Sequence, residues 1–291
     1  MPNRFAMFCL LLLPLLPLQT LAKEKIRWIV YPEFPPARIV SGPLAGRGII
    51  DRQLSWLISQ LDGFDHVLVE ATNLRAFREI VERDGQCVID VVQTPERRDI
   101  ALFSRVALIH RPPGIIIRSD RLAALAPARL PDGTIDLGRL AELAGLAGAI
   151  AEDRNFGPAI SHFLASDHQE LTQLLNVQQA LAMMSHGRID YTFGYSSEVL
   201  YYQRVSASPA EITFVPIAGG ATPMPVYIAC SRGSVGEKAI AAIDRVLDGA
   251  DGPVPYLPEL REWFDPEEYR QMRDFTNWRS LADAGEGLLK R

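Results

Sequence analysis

The run Thr94-Pro95-Glu96-Arg97-Arg98-Asp99-Ile100-Ala101-Leu102-Phe103-Ser104 follows the apolar stretch Val88 to Val92 with only Gln93 between them. Thr94 is a good N-cap, Pro95 suits the first helical position and Glu96 favours the positive end of a helix, so a helix starts here directly after a buried strand. Arg97 then projects from the first turn. A guanidinium so placed can form a bidentate pair with a carboxylate or another planar anion. The alternative is a first-turn arginine facing water, which is the reading for Arg98 beside it.

Working outward, Ile26 to Tyr31 reads as a strand ended by the loop Pro32-Glu33-Phe34-Pro35-Pro36. Beyond Gly42, Gly46 and Gly48, the residues Ile50, Leu54, Leu57, Ile58 and Leu61 fall on one helical face. His66 to Val69 is a second strand, Leu74, Phe77, Ile80 and Val81 mark a second helix, and Val88 to Val92 is a third strand. This β-α-β-α-β order implies a largely parallel sheet covered on both faces. Two further apolar extended runs, Gly114 to Arg118 and Val226 to Cys230, enclose a restart of the pattern. It comprises a helix near Leu137 to Leu146, a strand at Gly148 to Ala151, a helix after Gly157, a helix through Gln178 to Met184 and a strand at Asp190 to Phe193. A helix from Val235 to Leu247 and a Pro-rich, Trp-bearing tail at Gly252 to Phe264 follow. The middle therefore reads as a second α/β lobe.

The 291 residues are 48% hydrophobic and 22% charged, the composition of a globular protein. A formal net charge of −5 removes the general attraction to phosphate backbones and excludes nucleic acid as the expected partner. Arg4 is the only charge from Met1 to Ala22, and the apolar run Phe5 to Leu18 is broken by Pro14 and Pro17. That is the layout of a secretory signal peptide, residues 1–22, with an uncleaved anchor as the other reading. Cys9 lies inside this run. Cys87 and Cys230 then remain, an even number in an oxidising compartment, where a disulfide and two buried thiols are both open.

The pattern resembles the type 2 periplasmic solute-binding proteins, in particular the extracellular family-3, amino-acid-binding branch. Four segments carry the resemblance: Ile26 to Pro36, Thr94 to Ser104, Gly114 to Ser119, and Gly187-Arg188-Ile189-Asp190 ahead of a strand. The resemblance implies a two-lobed α/β Venus-flytrap, each lobe a mixed sheet flanked by helices. Lobe 1 would be discontinuous, residues 23–113 plus 231–291, lobe 2 would span 120–225, and 114–119 with 226–230 would be hinge strands. It also implies a monomer in the periplasm that closes on a small-molecule ligand without a cofactor or metal. Its partner would be an ABC permease or a membrane sensor.

Residue by residue, Arg97 falls on that family's ligand-carboxylate arginine and Phe34 on the aromatic that packs over the ligand, its other reading being a loop aromatic tucked under the Pro35-Pro36 turn. Tyr31 and Thr94 are further lobe 1 candidates, and Glu33 either accepts from a cationic ligand group or faces water. On lobe 2 the loop Asp153-Arg154-Asn155 is the candidate contact, and plain helix capping is its other reading. Asp190 belongs to the turn before a strand and reads as structural. The departure comes next: where amino-acid-binding members carry an acid for the ligand's ammonium group, this chain has Tyr195, followed by Ser196 and Ser197. Either another acid such as Glu33 or Glu198 substitutes, or the ligand is an anion, a sugar or another molecule suited to aromatic contacts.

A cleft enzyme is the competing class. The chain has no Gly-x-Ser-x-Gly elbow and no Walker loop. His162 and His168, near Asp167, are spaced so that one helix face cannot present both imidazoles to a metal. A carboxylate pair such as Glu33 with Glu152 would leave no spacing signature. The expectation is a binding protein rather than an enzyme, presenting its closed form to a permease or to a receptor.

Overall fold

The computed structural model describes residues 23–32, 34–152, 156–165, 170–207, 211–219, 224–248 and 256–274. The expected signal peptide, with Cys9, lies outside them. Two mixed sheets organise the chain. In the first, β1 (Glu24–Val30) runs parallel to β2 (Phe64–Glu70) and β3 (Gln86–Val91), with helices α1 (Ile49–Gln60) and α2 (Asn73–Glu82) as the crossovers. After α3 (Pro95–Ile100) come the short β4 (Leu102–Phe103) and β5 (Leu108–His110). In the second sheet, β6 (Gly114–Arg118), α4 (Leu137–Ala141), β7 (Gly148–Ala151), α5 (Pro158–Leu164), β8 (Thr172–Leu174), α6 (Val177–Ser185), β9 (Tyr191–Gly194), α7 (Ser196–Val205) and β10 (Ile212–Val215) follow in chain order. The chain then returns as β11 (Met224–Cys230) and α8 (Ser234–Asp248), and ends, among the described residues, with α9 (Leu257–Leu260) and α10 (Pro266–Asp274).

The strand order is β2-β1-β3-β11-β4, with β5 also on β11, in the first sheet and β10-β6-β9-β7-β8 in the second. Each sheet is less parallel than the β-α-β alternation suggests. β11 enters the first antiparallel to β3, β4 and β5, and β6 enters the second antiparallel to β9 and β10. The two runs read as hinge strands are thus strands of the sheets themselves. The chain passes between sheets after His110 and again after Val215, and Met224 pairs with His110 beside the first crossing.

Burial follows the sequence pattern in most places. Ile50, Leu54 and Leu57 of α1 are buried against Ile26, Trp28 and Ile228. Each such side chain contributes roughly 1.5–3 kcal/mol by leaving water. In α2, Ile80 is buried but Val81 is 60% exposed, because the helix turns its Ala76–Ile80 face to β3. The helix expected to reach Leu146 ends at Ala141, where the chain turns through Gly145 at φ 77°. The described part of the tail, from Tyr256 on, contributes to the core: Tyr256, Leu257, Leu260, Trp263 and Phe264 are buried with Ile39, Leu108 and Tyr227.

Gly114 is required where β6 begins, because a Cβ there would stand 2.5 Å from the carbonyl oxygen of Val215. Cys87 and Cys230 are register partners on β3 and β11, with Cα atoms 4.1 Å apart, and their Sγ atoms are bonded at 2.02 Å. The bridge ties the return strand to the sheet across 143 residues of chain. No helix among the described residues is long and apolar enough to cross a membrane.

Candidate functional site

In parallel sheets the loops at the carboxyl ends of the strands are where ligands bind. Those loops of the two sheets face each other here. Gln178, in the first turn of α6, donates its side-chain amide to the carbonyl of Pro35, in the loop after β1, at 3.3 Å. The rings of His110, at the end of β5, and Tyr195, after β9, lie 6.3 Å apart.

On the first sheet, α3 is built as its sequence suggests. Thr94 caps it, accepting the Arg97 backbone N–H at 3.3 Å, and Pro95 occupies the first turn. The Arg97 side chain turns back over the strand end. Its Nη1 donates to the carbonyl of Val92 at 2.8 Å, and its guanidinium stacks 4.4 Å over the Phe77 ring. Among the described residues no carboxylate oxygen is within ion-pair distance of it. Partial burial lowers its proton affinity, and the neighbouring Tyr31 and Glu96 oppose that shift. The guanidinium keeps further N–H donors beyond the one Val92 takes, the requirement for gripping an anion.

The first loop is held by a buried arginine. Arg38 donates to the carbonyls of Tyr31 and Pro32, and pairs with Glu70 at 2.9 Å and Asp51 at 3.9 Å. Phe34 and Arg38 exchange backbone hydrogen bonds, so the loop closes on itself and sets the Phe34 ring 5.3 Å from that of Tyr31. The Tyr31 hydroxyl is pushed up to about 12, mainly by burial, with the Asp90 charge adding and Arg97 opposing. Tyr31 therefore stands within electrostatic reach of both charges.

Asp90 is unusual in its backbone. It has φ 62°, in the region that disfavours side chains other than those of glycine, asparagine and aspartate, and it sits at a register shift between β3 and β11. The bulge re-aims its carboxylate, which accepts from Nε2 of His110 at 2.7 Å. Both side chains are largely but not fully enclosed, at 14% and 16% exposure. Burial by itself would lower the His110 pKa, but the charge and hydrogen bond of Asp90 and the charge of Glu268 outweigh it, so the imidazole holds its proton above the ordinary histidine range.

On the second sheet, Tyr195 is the N-cap residue of α7, and its backbone N–H donates to Glu198 at 2.8 Å. Glu198, 2% exposed, is thereby part of a capping box. The Ser196 hydroxyl donates to Glu268 of α10 at 2.7 Å. Glu33, Asp153, Arg154 and Asn155 lie outside the described residues, as do Asp167 and His168. Asp190 accepts the Ala147 backbone N–H at 2.9 Å and pairs with Arg121 at 3.2 Å, a turn-forming role. Tyr191 and Tyr202 are core residues.

The fold thus brings Arg97, Thr94, Tyr31 and Phe34 to one sheet edge and Tyr195 and Ser196 to the facing one. Asp90, His110, Gln178 and Glu268 were not among the residues singled out from the sequence. Asp90 carried a signal there, as an acid interrupting the apolar run Val88-Ile89-Asp90-Val91-Val92. Glu268 carried none, because its partners are distant in the chain.

No family model matches the chain. No curated protein matches it either. Solved structures do. A probable amino-acid ABC transporter extracellular-binding protein from Bacillus subtilis is 14% identical and covers 83% of this chain and 98% of its own, with a TM-score of 0.59. The chain has the two-lobed solute-binding fold. A Salmonella typhimurium periplasmic binding protein described as having high arginine specificity shares this fold at 12% identity, over 83% of this chain and all of its own, with a TM-score of 0.56. So does an ancestral amino-acid-binding protein described as a precursor of cyclohexadienyl dehydratase, at 15% identity, over 83% of this chain and 95% of its own, with a TM-score of 0.57. Arg97 lies on one of the two facing sets of strand-end loops, with one hydrogen bond, to the Val92 carbonyl, among the described residues.

Proposed function

We propose that this protein is a periplasmic solute-binding protein that captures a small polar, carboxylate-bearing ligand between its lobes and delivers it to an ABC-type transporter. One observation carries the reading: the half-buried Arg97 guanidinium, capped into place by Thr94 and walled by Phe77, has an open set of N–H donors and no carboxylate partner among the described residues. The solved neighbours that are binding proteins of amino-acid ABC transporters support the same reading. In it, residues 23–113 with 231–291 form one lobe and 120–225 the other, and the protein works as a monomer. Phe34 and Tyr31 pack over the ligand, and Tyr195 closes from the second lobe with the loop 153–155. A membrane sensor reading the same closed form is the alternative partner.

The test is calorimetry of residues 23–291 against amino acids, dicarboxylates, polyamines, sugars and peptidoglycan fragments. A carboxylate ligand that binds the native protein and loses about tenfold or more in affinity with Arg97→Ala, the change expected for a hydrogen bond to a charged group, supports the reading. A ligand indifferent to Arg97→Ala overturns the anchor, and a panel without any binder overturns solute capture.

A second reading, a cleft enzyme, is favoured by the hydrogen-bonded Asp90–His110 pair at the same edge. It predicts that a bound compound is converted over hours by native protein and left intact by His110→Gln, followed by NMR of the ligand.

A further inference from the structure

The C-terminal segment from Tyr256 to Asp274 belongs by its packing to the first lobe. The Tyr256 hydroxyl bonds the Ala107 carbonyl, the Trp263 indole N–H donates to the Arg47 carbonyl at 2.6 Å, and Glu262 pairs with Arg47 at 2.6 Å. The same segment grips the second lobe along α7, at both ends of that helix. At its last turn Arg204 pairs with Glu262 at 3.3 Å and stacks 4.9 Å over Trp263. At its first turn the Ser196 hydroxyl donates to Glu268. Between these ends the crossing residue Arg111 pairs with Asp265 at 2.9 Å.

The grip at the first turn is the one built from titratable groups in a water-poor place. Glu268 is 4% exposed. It faces the Ser196 hydroxyl from α7, Arg111 from the crossing, His110 from β5 and Asp265 from its own segment. His110 in turn faces Asp90 from β3 and Glu268 from α10, with the Tyr195 ring beside it. We propose that this seam is a proton-linked latch between the lobes: engagement of α7 by the buried Glu268 takes up a proton, so that closure strengthens as pH falls.

The reason is solvation. With the seam engaged, burial raises the Glu268 carboxyl above the ordinary range, with Asp265 adding, while Ser196, Arg111 and His110 oppose it. His110 is also raised there, Asp90 and Glu268 outweighing its burial. If α7 moves off, water reaches the Glu268 carboxyl and it returns towards its ordinary value, whereas Asp90 and Glu268 stay beside His110 in the first lobe and keep its proton affinity raised. A state that binds protons more tightly is favoured at lower pH. The latch is therefore complete below the ordinary carboxylate value. It weakens as pH rises through the raised Glu268 value.

The inference rests on the two-lobed capture mechanism proposed above, but its test needs no ligand, so the two can fail separately. A donor–acceptor dye pair is placed at Val81 and Leu175, exposed positions on the two lobes. The interlobe distance is then followed in the ligand-free protein from about pH 5 to about pH 8.5. The open-to-closed ratio should rise as pH rises through this range. Glu268→Gln should show no pH response. Ser196→Ala, which keeps the charges and removes only the bond across the seam, should be more open throughout at unchanged helix content. A distance independent of pH in the native protein, a full pH response in Glu268→Gln, or native closure in Ser196→Ala would each overturn the latch.

Discussion

Asp90 and His110 are joined by a 2.7 Å hydrogen bond although their strands do not pair with each other; each pairs with β11. The contact depends on a backbone conformation at Asp90 that few residues adopt, with φ 62°. Conformations of this kind cost on the order of 1–3 kcal/mol and persist where the surroundings enforce them. At this position the surroundings are the bulge against β11 and the imidazole, and the edge is the one that carries Arg97.

Asp90→Asn keeps a residue that tolerates the left-handed region and removes only the charge. The His110 pKa, followed by NMR, should fall, since the Asp90 charge is what outweighs burial of the ring. A folded-state histidine pKa above the unfolded value contributes stability in full below about pH 6.5, lost as pH rises through the folded value. Thermal melts of the native protein should therefore weaken with rising pH above that point, and His110→Gln should flatten this slope.

Thr94→Ala removes the N-cap of α3. The expected stability cost is about 0.5–2 kcal/mol by denaturant unfolding. Ligand affinity should fall as well, because Arg97 loses the turn that aims it. An affinity loss with Thr94→Ala but none with Arg97→Ala would show that α3 acts on the ligand through another group.

Arg38→Met leaves the buried carbonyls of Tyr31 and Pro32 without their donor and Glu70 without its partner. A loss of about 2–4 kcal/mol is expected, since unsatisfied buried acceptors cost about 1–3 kcal/mol each. Proteolysis should begin in the 31–38 loop at protease concentrations that leave the native protein intact.

Cys87→Ala/Cys230→Ala removes the cross-strand bridge. Loss of such a bond typically costs about 2–5 kcal/mol. In a chain of this size that corresponds to roughly 5–15 °C in Tm, read by calorimetry. The same drop should appear in the native protein under strong reductant and vanish in the variant.

Gly114→Ala should destabilise by about 1–3 kcal/mol, because its Cβ would meet the Val215 carbonyl, a backbone atom that cannot swing away. Chemical denaturation with the midpoint as readout checks it.

Much of this architecture is local and was readable from the chain. The alternation of β-rich and helix-period segments announced two α/β units, and Thr94-Pro95-Glu96 announced the start of α3, because capping and burial periodicity act over a few residues. The antiparallel entries of β6 and β11 were not readable, since pairing partners are chosen by packing across a hundred residues or more. The site divided in the same way. The place of Arg97 on the first turn of α3 was readable because it follows from the residues before it. Asp90, His110 and Glu268 could not be assembled, because a bulge, a crossing and a C-terminal helix had to converge before their charges could act on one another.

What the sequence alone determined is therefore the two-unit α/β plan and the placement of an arginine at a strand-end helix. Tertiary structure alone decided that Tyr195 and Ser196 meet His110 and Glu268 across the lobes, and that Cys87 faces Cys230. The physical reason is range: hydrogen bonds within a turn are set by neighbours in the chain, whereas the desolvation and Coulomb forces that tune a buried carboxylate depend on which distant surfaces close over it.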